Sequence, residues 1–172
     1  MSKPALLPAF QLKTPPGEDR LRQVCETCGF INYVNPKIVV GSVVVVPDGV
    51  LMCRRAIEPR KGFWTLPAGF MEDGETVEAA ALREAYEEAQ ARLRLEGVLA
   101  IYSLPHISQV QIMFRATLAE PGFAPGPESL ETAVFPWDAL PMNELAFPSV
   151  AWALADYRRF LAGEPGPFSN PA

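Results

Sequence analysis

Apolar and polar positions follow two rhythms along this chain. From Ile38 to Val46 the run IVVGSVVVV is β-branched and apolar at odd and even positions alike, which predicts a strand buried on both faces. Pro47-Asp48-Gly49 then turns the chain back into a second strand, VLMCRR. Phe63-Trp64-Thr65-Leu66 reads as a short strand ended by Pro67. Leu95 to Leu104 and Gln109 to Leu118 read as two more, the second alternating Val110, Ile112 and Phe114 with polar neighbours, and Pro105-His106-Ile107-Ser108 allows the two to pair. The helical rhythm appears twice. Thr76 is a predicted N-cap for a helix reaching about Gln90, with Glu78 near its positive end. Between Ser149 and Leu161, Val150, Leu154, Tyr157 and Leu161 form one stripe.

Proline and glycine mark the breaks. Pro4, Pro8, Pro15 and Pro16 with Gly17 predict an extended N-terminal arm, and Glu58 to Gly62 a polar loop. Ala68 to Glu75 reads as a loop with a glycine towards each end. Pro121 to Pro127 continues into Glu128-Ser129-Leu130-Glu131, a long acidic loop, before a short strand over Ala133 to Phe135. The ending GEPGPFSNPA reads as a loose tail. The expected organisation is an arm over residues 1–36, one domain over 37–162 and the tail over 163–172, with no internal repeat.

A length of 172 residues with 49% hydrophobic content suits one well-packed domain with an appendage. The net charge of −5 and the lack of any Lys/Arg run argue against a nucleic-acid partner. An acidic protein acting on an anionic substrate needs a metal between them. No secretory signal and no bilayer-length apolar segment is expected, so no membrane partner. Cys25, Cys28 and Cys53 make no even disulfide framework, and Cys53 sits in an apolar run; a cytoplasmic location follows as an expectation.

The chemistry concentrates in GFMEDGETVEAAALREAYEEAQA, residues 69–91. At about 100° per residue, Glu84, Glu87 and Glu88 share an arc of roughly 100° with Val77, Ala80 and Ala81. Like charges so placed cost about 0.2–0.5 kcal/mol per pair when exposed, and more when partly buried. A divalent metal is the natural compensation; a solvated acidic face with Arg83 paired to Glu87 is the plainer alternative.

Gly69, five residues, Glu75, seven residues and then Arg83-Glu84-Ala85-Tyr86-Glu87-Glu88 resembles the signature of the Nudix hydrolases. The resemblance implies an α+β fold, an α/β/α sandwich with a mixed central sheet, and cleavage of a nucleoside diphosphate linked to another group. It implies Mg²⁺ or Mn²⁺ on Glu84, Glu87 and Glu88 with the carbonyl of Ala68, and a two-point Arg83–Glu75 clamp locking loop to helix. Gln90 stands where the family has glycine, so that the helix either accepts strain of about 1–2 kcal/mol there or runs on into Arg92.

Flanking segments extend the likeness to roughly residues 20 to 160. Val24 to Gly29, Asn35-Pro36-Lys37, Cys53-Arg54-Arg55, Trp64 to Phe70 and Pro125 to Glu131 resemble the ADP-ribose and FAD pyrophosphatase branch that carries an N-terminal ribbon. This implies hydrolysis of ADP-ribose or a relative such as FAD to AMP and a second phosphate product, by a homodimer. NADH hydrolysis is an alternative within the fold; a non-catalytic ADP-ribose-binding regulator is one outside enzymology. The general base is Glu128 or Glu131, with Glu88 as rival. Arg54 or Arg55 meets a phosphate. Phe63, Trp64 and Tyr102 stack on adenine or belong to the core. Cys25 and Cys28 are half of the four ligands a closed zinc site demands. They are a knuckle without metal or half of a zinc site shared between two copies.

Overall fold

The computed structural model describes residues 9–171. Its contacts divide the chain after Asn35 into two compact units.

The first unit is a three-stranded antiparallel sheet of β1 (Phe10–Lys13), β2 (Arg22–Cys25) and β3 (Ile31–Asn32), in the order β1-β2-β3. Phe10 lies opposite Cys25 and Lys13 opposite Arg22. The expected arm is thus partly sheet, because a partner strand supplies the hydrogen bonds that the proline-rich sequence does not announce. Those expectations that rest on residues 1–8 lie outside the described residues. Arg22 Nε donates to Glu18 Oε2 at 2.7 Å, and the Tyr33 hydroxyl donates to the other oxygen of Glu18. Cys25 is buried and Cys28 exposed, on a turn closed by Gly29 N–H to Cys25 O at 2.9 Å.

The second unit is a mixed sheet between two helices. Its strands are β4 (Lys37–Val46), β5 (Gly49–Arg55), β6 (Trp64–Thr65), β7 (Ala68–Phe70), β8 (Leu93–Leu104), β9 (Gln109–Leu118) and β10 (Ser129–Phe135); its helices are α1 (Val77–Ala89) and α2 (Pro148–Leu161). The strand order is β10-β5-β4-β9-β8, with β6 added to β5 and β7 to β4. β4 runs parallel to β9, and the other pairs are antiparallel. As the unbroken apolar run requires, β4 is covered on both faces. Val40 and Val44 meet α1, whereas Val43 joins Val150, Leu154 and Tyr157 of α2. Leu161 of the predicted stripe stays exposed at the helix end.

Two further expectations change. Residues Ala68–Phe70 form β7 against Val39–Gly41, so the expected loop begins as a strand. The C-terminal tail is tied to β8: Phe168 is buried, its N–H donates to Leu99 O at 2.8 Å, and its carbonyl accepts from Ile101 N–H at 2.9 Å. Asn170 adds a side-chain bond in each direction with the main chain of Ser103. One apolar residue in a polar stretch was enough, because the edge of β8 offered unpaired main-chain groups.

Candidate active site

Thr76 caps α1 as predicted, its hydroxyl accepting from Ala79 N–H at 3.1 Å. Ala80, Ala81, Ala85 and Ala89 are buried against Val40, Val44, Leu51 and Cys53. Side chains this short bring the helix close to the sheet. The glutamates beside that row are drawn into the gap, leaving Glu84 9% and Glu88 5% exposed, while Glu87 stays at the surface.

Arg83 organises the acids. Its Nε and Nη2 donate to the two oxygens of Glu75 at 2.7 and 3.0 Å, the two-point geometry expected, and Nη2 also reaches Phe70 O at 3.0 Å. Its Nη1 donates to Glu84 Oε1 and Glu87 Oε2, both at 2.8 Å. Arg83 thereby holds the carboxyl of Glu75 down to about 2, helped by Glu72 N–H. Burial pushes Glu84 above the usual carboxylate range against the opposing pull of Arg83. Burial pushes Glu88 up to about 8, although Ala68 N–H donates to its Oε2 at 3.0 Å; the charge of Glu84 adds to the rise and that of Arg55 opposes it.

Strand alternation separates the two arginines of β5. Arg55 has the parity of Leu51 and Cys53, facing α1, where its charge is felt by Glu88. Arg54 has the parity of Val50 and Met52, facing the α2 side; its Nε donates to Gly62 O at 2.9 Å and its Nη1 lies 3.5 Å from Glu131 Oε2. A bulge between Ser129 and Glu131 sets Glu131 opposite Arg54. Of the two acids read as a loop base, Glu131 is thus on a strand and paired away from the cluster. Glu128 lies close enough for its charge to raise both Glu84 and Glu88. Tyr102 and Trp64 are core residues, the former donating to Asp156 Oδ2 at 2.7 Å, so neither offers a face for adenine. Half-buried Phe63 lies under the guanidinium of Arg60.

The loop before Glu128 is docked on the end of α1, which the sequence reading missed. Ala124 N–H donates to Ala89 O at 2.8 Å and Gly126 N–H to Glu88 O at 3.0 Å. A Cβ at position 126 would fall 1.7 Å from Glu87 O, so only glycine permits the approach. The run Pro125-Gly126-Pro127 was the available signal, but alone it reads only as a turn.

Among the described residues no three His, Cys, Asp or Glu side chains already form a cage, since Arg83 bonds both Glu84 and Glu87. The donors nonetheless fit a hard divalent cation: carboxylate oxygens throughout, two of them on buried groups whose charge needs a counterion. Gly69 keeps the space open, because a Cβ there would lie 2.2 Å from Glu84 Oε2.

Comparison with known proteins bears on the family and the fold. A family model for the NUDIX domain matches residues 35–156, and one for the Nudix N-terminal zinc ribbon matches residues 8–34. An ADP-ribose pyrophosphatase of Methanocaldococcus jannaschii is 31% identical over 137 residues, 76% of this chain and 78% of that protein. An NAD-capped RNA hydrolase NudC of Haemophilus influenzae is 39% identical over 80 residues, 44% of this chain but only 30% of the relative's length. The crystal structure of a NUDIX hydrolase from Nitrosomonas europaea is 41% identical and superposes with a TM-score of 0.89, covering 97% of this chain and 96% of that one. With the family model spanning most of the chain and the same fold in a relative this similar, the chain belongs to the Nudix hydrolases.

Proposed function

We propose that this protein hydrolyses the diphosphate bond of ADP-ribose or a related nucleoside diphosphate derivative such as FAD, giving AMP and a second phosphate product. The observation that carries the reading is the convergence of Glu84, Glu87 and Glu75 on one guanidinium, with Glu88 and Glu128 beside them. The similarity to an ADP-ribose pyrophosphatase of Methanocaldococcus jannaschii supports the substrate class.

Glu84, Glu87, Glu88 and the carbonyl of Ala68 would hold Mg²⁺ or Mn²⁺. Bound there, such a cation would supply positive charge opposite the diphosphate. Arg83 and Glu75 orient these acids without moving a proton. Glu128, near enough to Glu84 and Glu88 for its charge to act on both, takes the proton of the attacking water. Arg55, whose charge reaches Glu88, meets a phosphate; each arginine donates to a loop carbonyl, Arg55 to Pro59 O and Arg54 to Gly62 O, and Arg54 also pairs with Glu131.

Turnover of ADP-ribose, FAD and NADH in ¹⁸O-labelled water, with products weighed by mass spectrometry, tests this. AMP from ADP-ribose or FAD is expected; undiminished Mg²⁺-dependent turnover by Glu87→Gln would overturn the metal assignment. The similarity to an NAD-capped RNA hydrolase supports a nicotinamide dinucleotide such as NADH as the second reading, and the same screen decides between them. The homodimer belongs to the proposal too. Phe10, Leu12, Leu21, Phe30, Tyr33 and Val34 of the N-terminal unit are exposed apolar side chains, and sedimentation at equilibrium measures the mass. So does the cytoplasmic location: all three thiols are unpaired, and no helix among the described residues is long and apolar enough to cross a membrane. Cys25 and Cys28 supply two thiols against the four ligands of a closed zinc site, so one copy of this segment holds half of such a site.

A further inference from the structure

The helix carrying the acids ends at Gln90 with φ 48° and ψ 25°, a left-handed conformation. Elsewhere among the described residues a positive φ falls on glycine at eight positions and on Arg60 and Ser108, and an L side chain there is strained. Glycine is also the residue the signature calls for here. What glycine lacks is the side-chain amide, and Gln90 Nε2 donates to Pro125 O at 3.2 Å.

That bond falls on a segment with little freedom. Pro125 and Pro127 fix φ and have no N–H. Gly126 between them is bonded to Glu88 O and sits with its Cα against Glu87 O, and its own carbonyl accepts from Ser129 N–H at 3.0 Å. Beyond Pro127, Glu128 O accepts from Ala56 N–H at 2.8 Å, one residue past Arg55. Glu128 is thus suspended between the C-terminal turn of α1 and the end of β5. Of the ties on the helix side, the one from Gln90 is made by a side chain and is the one substitution can remove without touching the main chain.

We propose that Gln90 is a positioning residue: it accepts a strained helix end in order to fix Pro125-Gly126-Pro127 and so aim Glu128 at the acids of α1. The inference rests on the reading of Glu128 as the base. It predicts that stability and activity part company on substitution by glycine, since Gln90→Gly relieves the backbone while deleting the tie. A residue that served only to end the helix would move neither kcat nor its coupling to Glu128.

The test compares wild type, Q90G, E128Q and the double variant, each with Mg²⁺ and the best substrate of the screen. Q90G is expected to keep or raise the Tm, leave KM within about twofold and lower kcat about 3- to 10-fold, within the 10²-fold that a 1 Å misplacement costs. In the E128Q background, Q90G is expected to lower the residual kcat no further. Wild-type kcat in Q90G beside an impaired E128Q, or an equal fall in both backgrounds, overturns the inference and leaves Glu128 as base. Undiminished kcat in E128Q overturns the base assignment and the inference with it.

Discussion

Burial lifts the carboxyl of Glu88 to about 8, against about 4.5 in an unfolded chain, so without a cation the folded protein binds a proton that the unfolded one has released at neutral pH. Proton-linked stability from this group is complete below about pH 4.5 and is lost as pH rises through about 8. The Tm of metal-free protein is therefore expected to fall across that window, and Glu88→Gln to flatten the fall, as calorimetry in EDTA at stepped pH will show. Glu75 has the opposite sign: held down to about 2 by Arg83, it contributes stability above its unfolded value and loses it only as pH drops towards 2. Gly69→Ala separates packing from chemistry. The obstructed atom is the tip of a flexible side chain, Glu84 Oε2, so the Tm is expected to shift little while hydrolysis falls about 10²-fold. These residues were legible in the sequence because their spacing lies within one helix and its preceding loop. What was not legible is that Arg83 serves Glu75, Glu84 and Glu87 together.

At the next scale up, α1 shows how local signals and packing combine. Thr76→Ala removes a cap that one hydroxyl supplies, and is expected to cost about 1 kcal/mol, read as a lower urea midpoint at unchanged m-value. The start of the helix could be read from that residue, whereas its end could not. Gln90 left open whether the helix stops, and the answer came from Ala89 and Glu88, whose carbonyls are taken by the docked loop. The long strands β4, β8 and β9 carry enough apolar pattern to be seen alone. The short ones, β1, β7 and the first residues of β10, do not, because a strand of three or four residues exists only through its partner.

Across the whole second unit, the two faces of the sheet divide the work. The α1 face holds the acids, Arg55 and Glu128; the α2 face holds the larger apolar cluster, to which Phe168 belongs. Phe168→Ala is expected to destabilise the fold by about 3 kcal/mol, the low end for a buried aromatic at the sheet edge, measurable by urea unfolding with activity per folded molecule intact. The long strands, the acid-bearing helix and its capped start were encoded locally, in periodicity and in a spacing that one turn of helix converts into a shared face, whereas the mixed sandwich was implied only by the resemblance of the motif to a family. Tertiary structure alone decided that the charge of Arg55 reaches Glu88 while Arg54 pairs with Glu131, that Glu128 stands near Glu84 and Glu88, and that the tail is bound. Each depends on strand pairing between distant segments, where one bulged residue, Leu130, between Ser129 and Glu131 reassigns every side chain that follows to the other face.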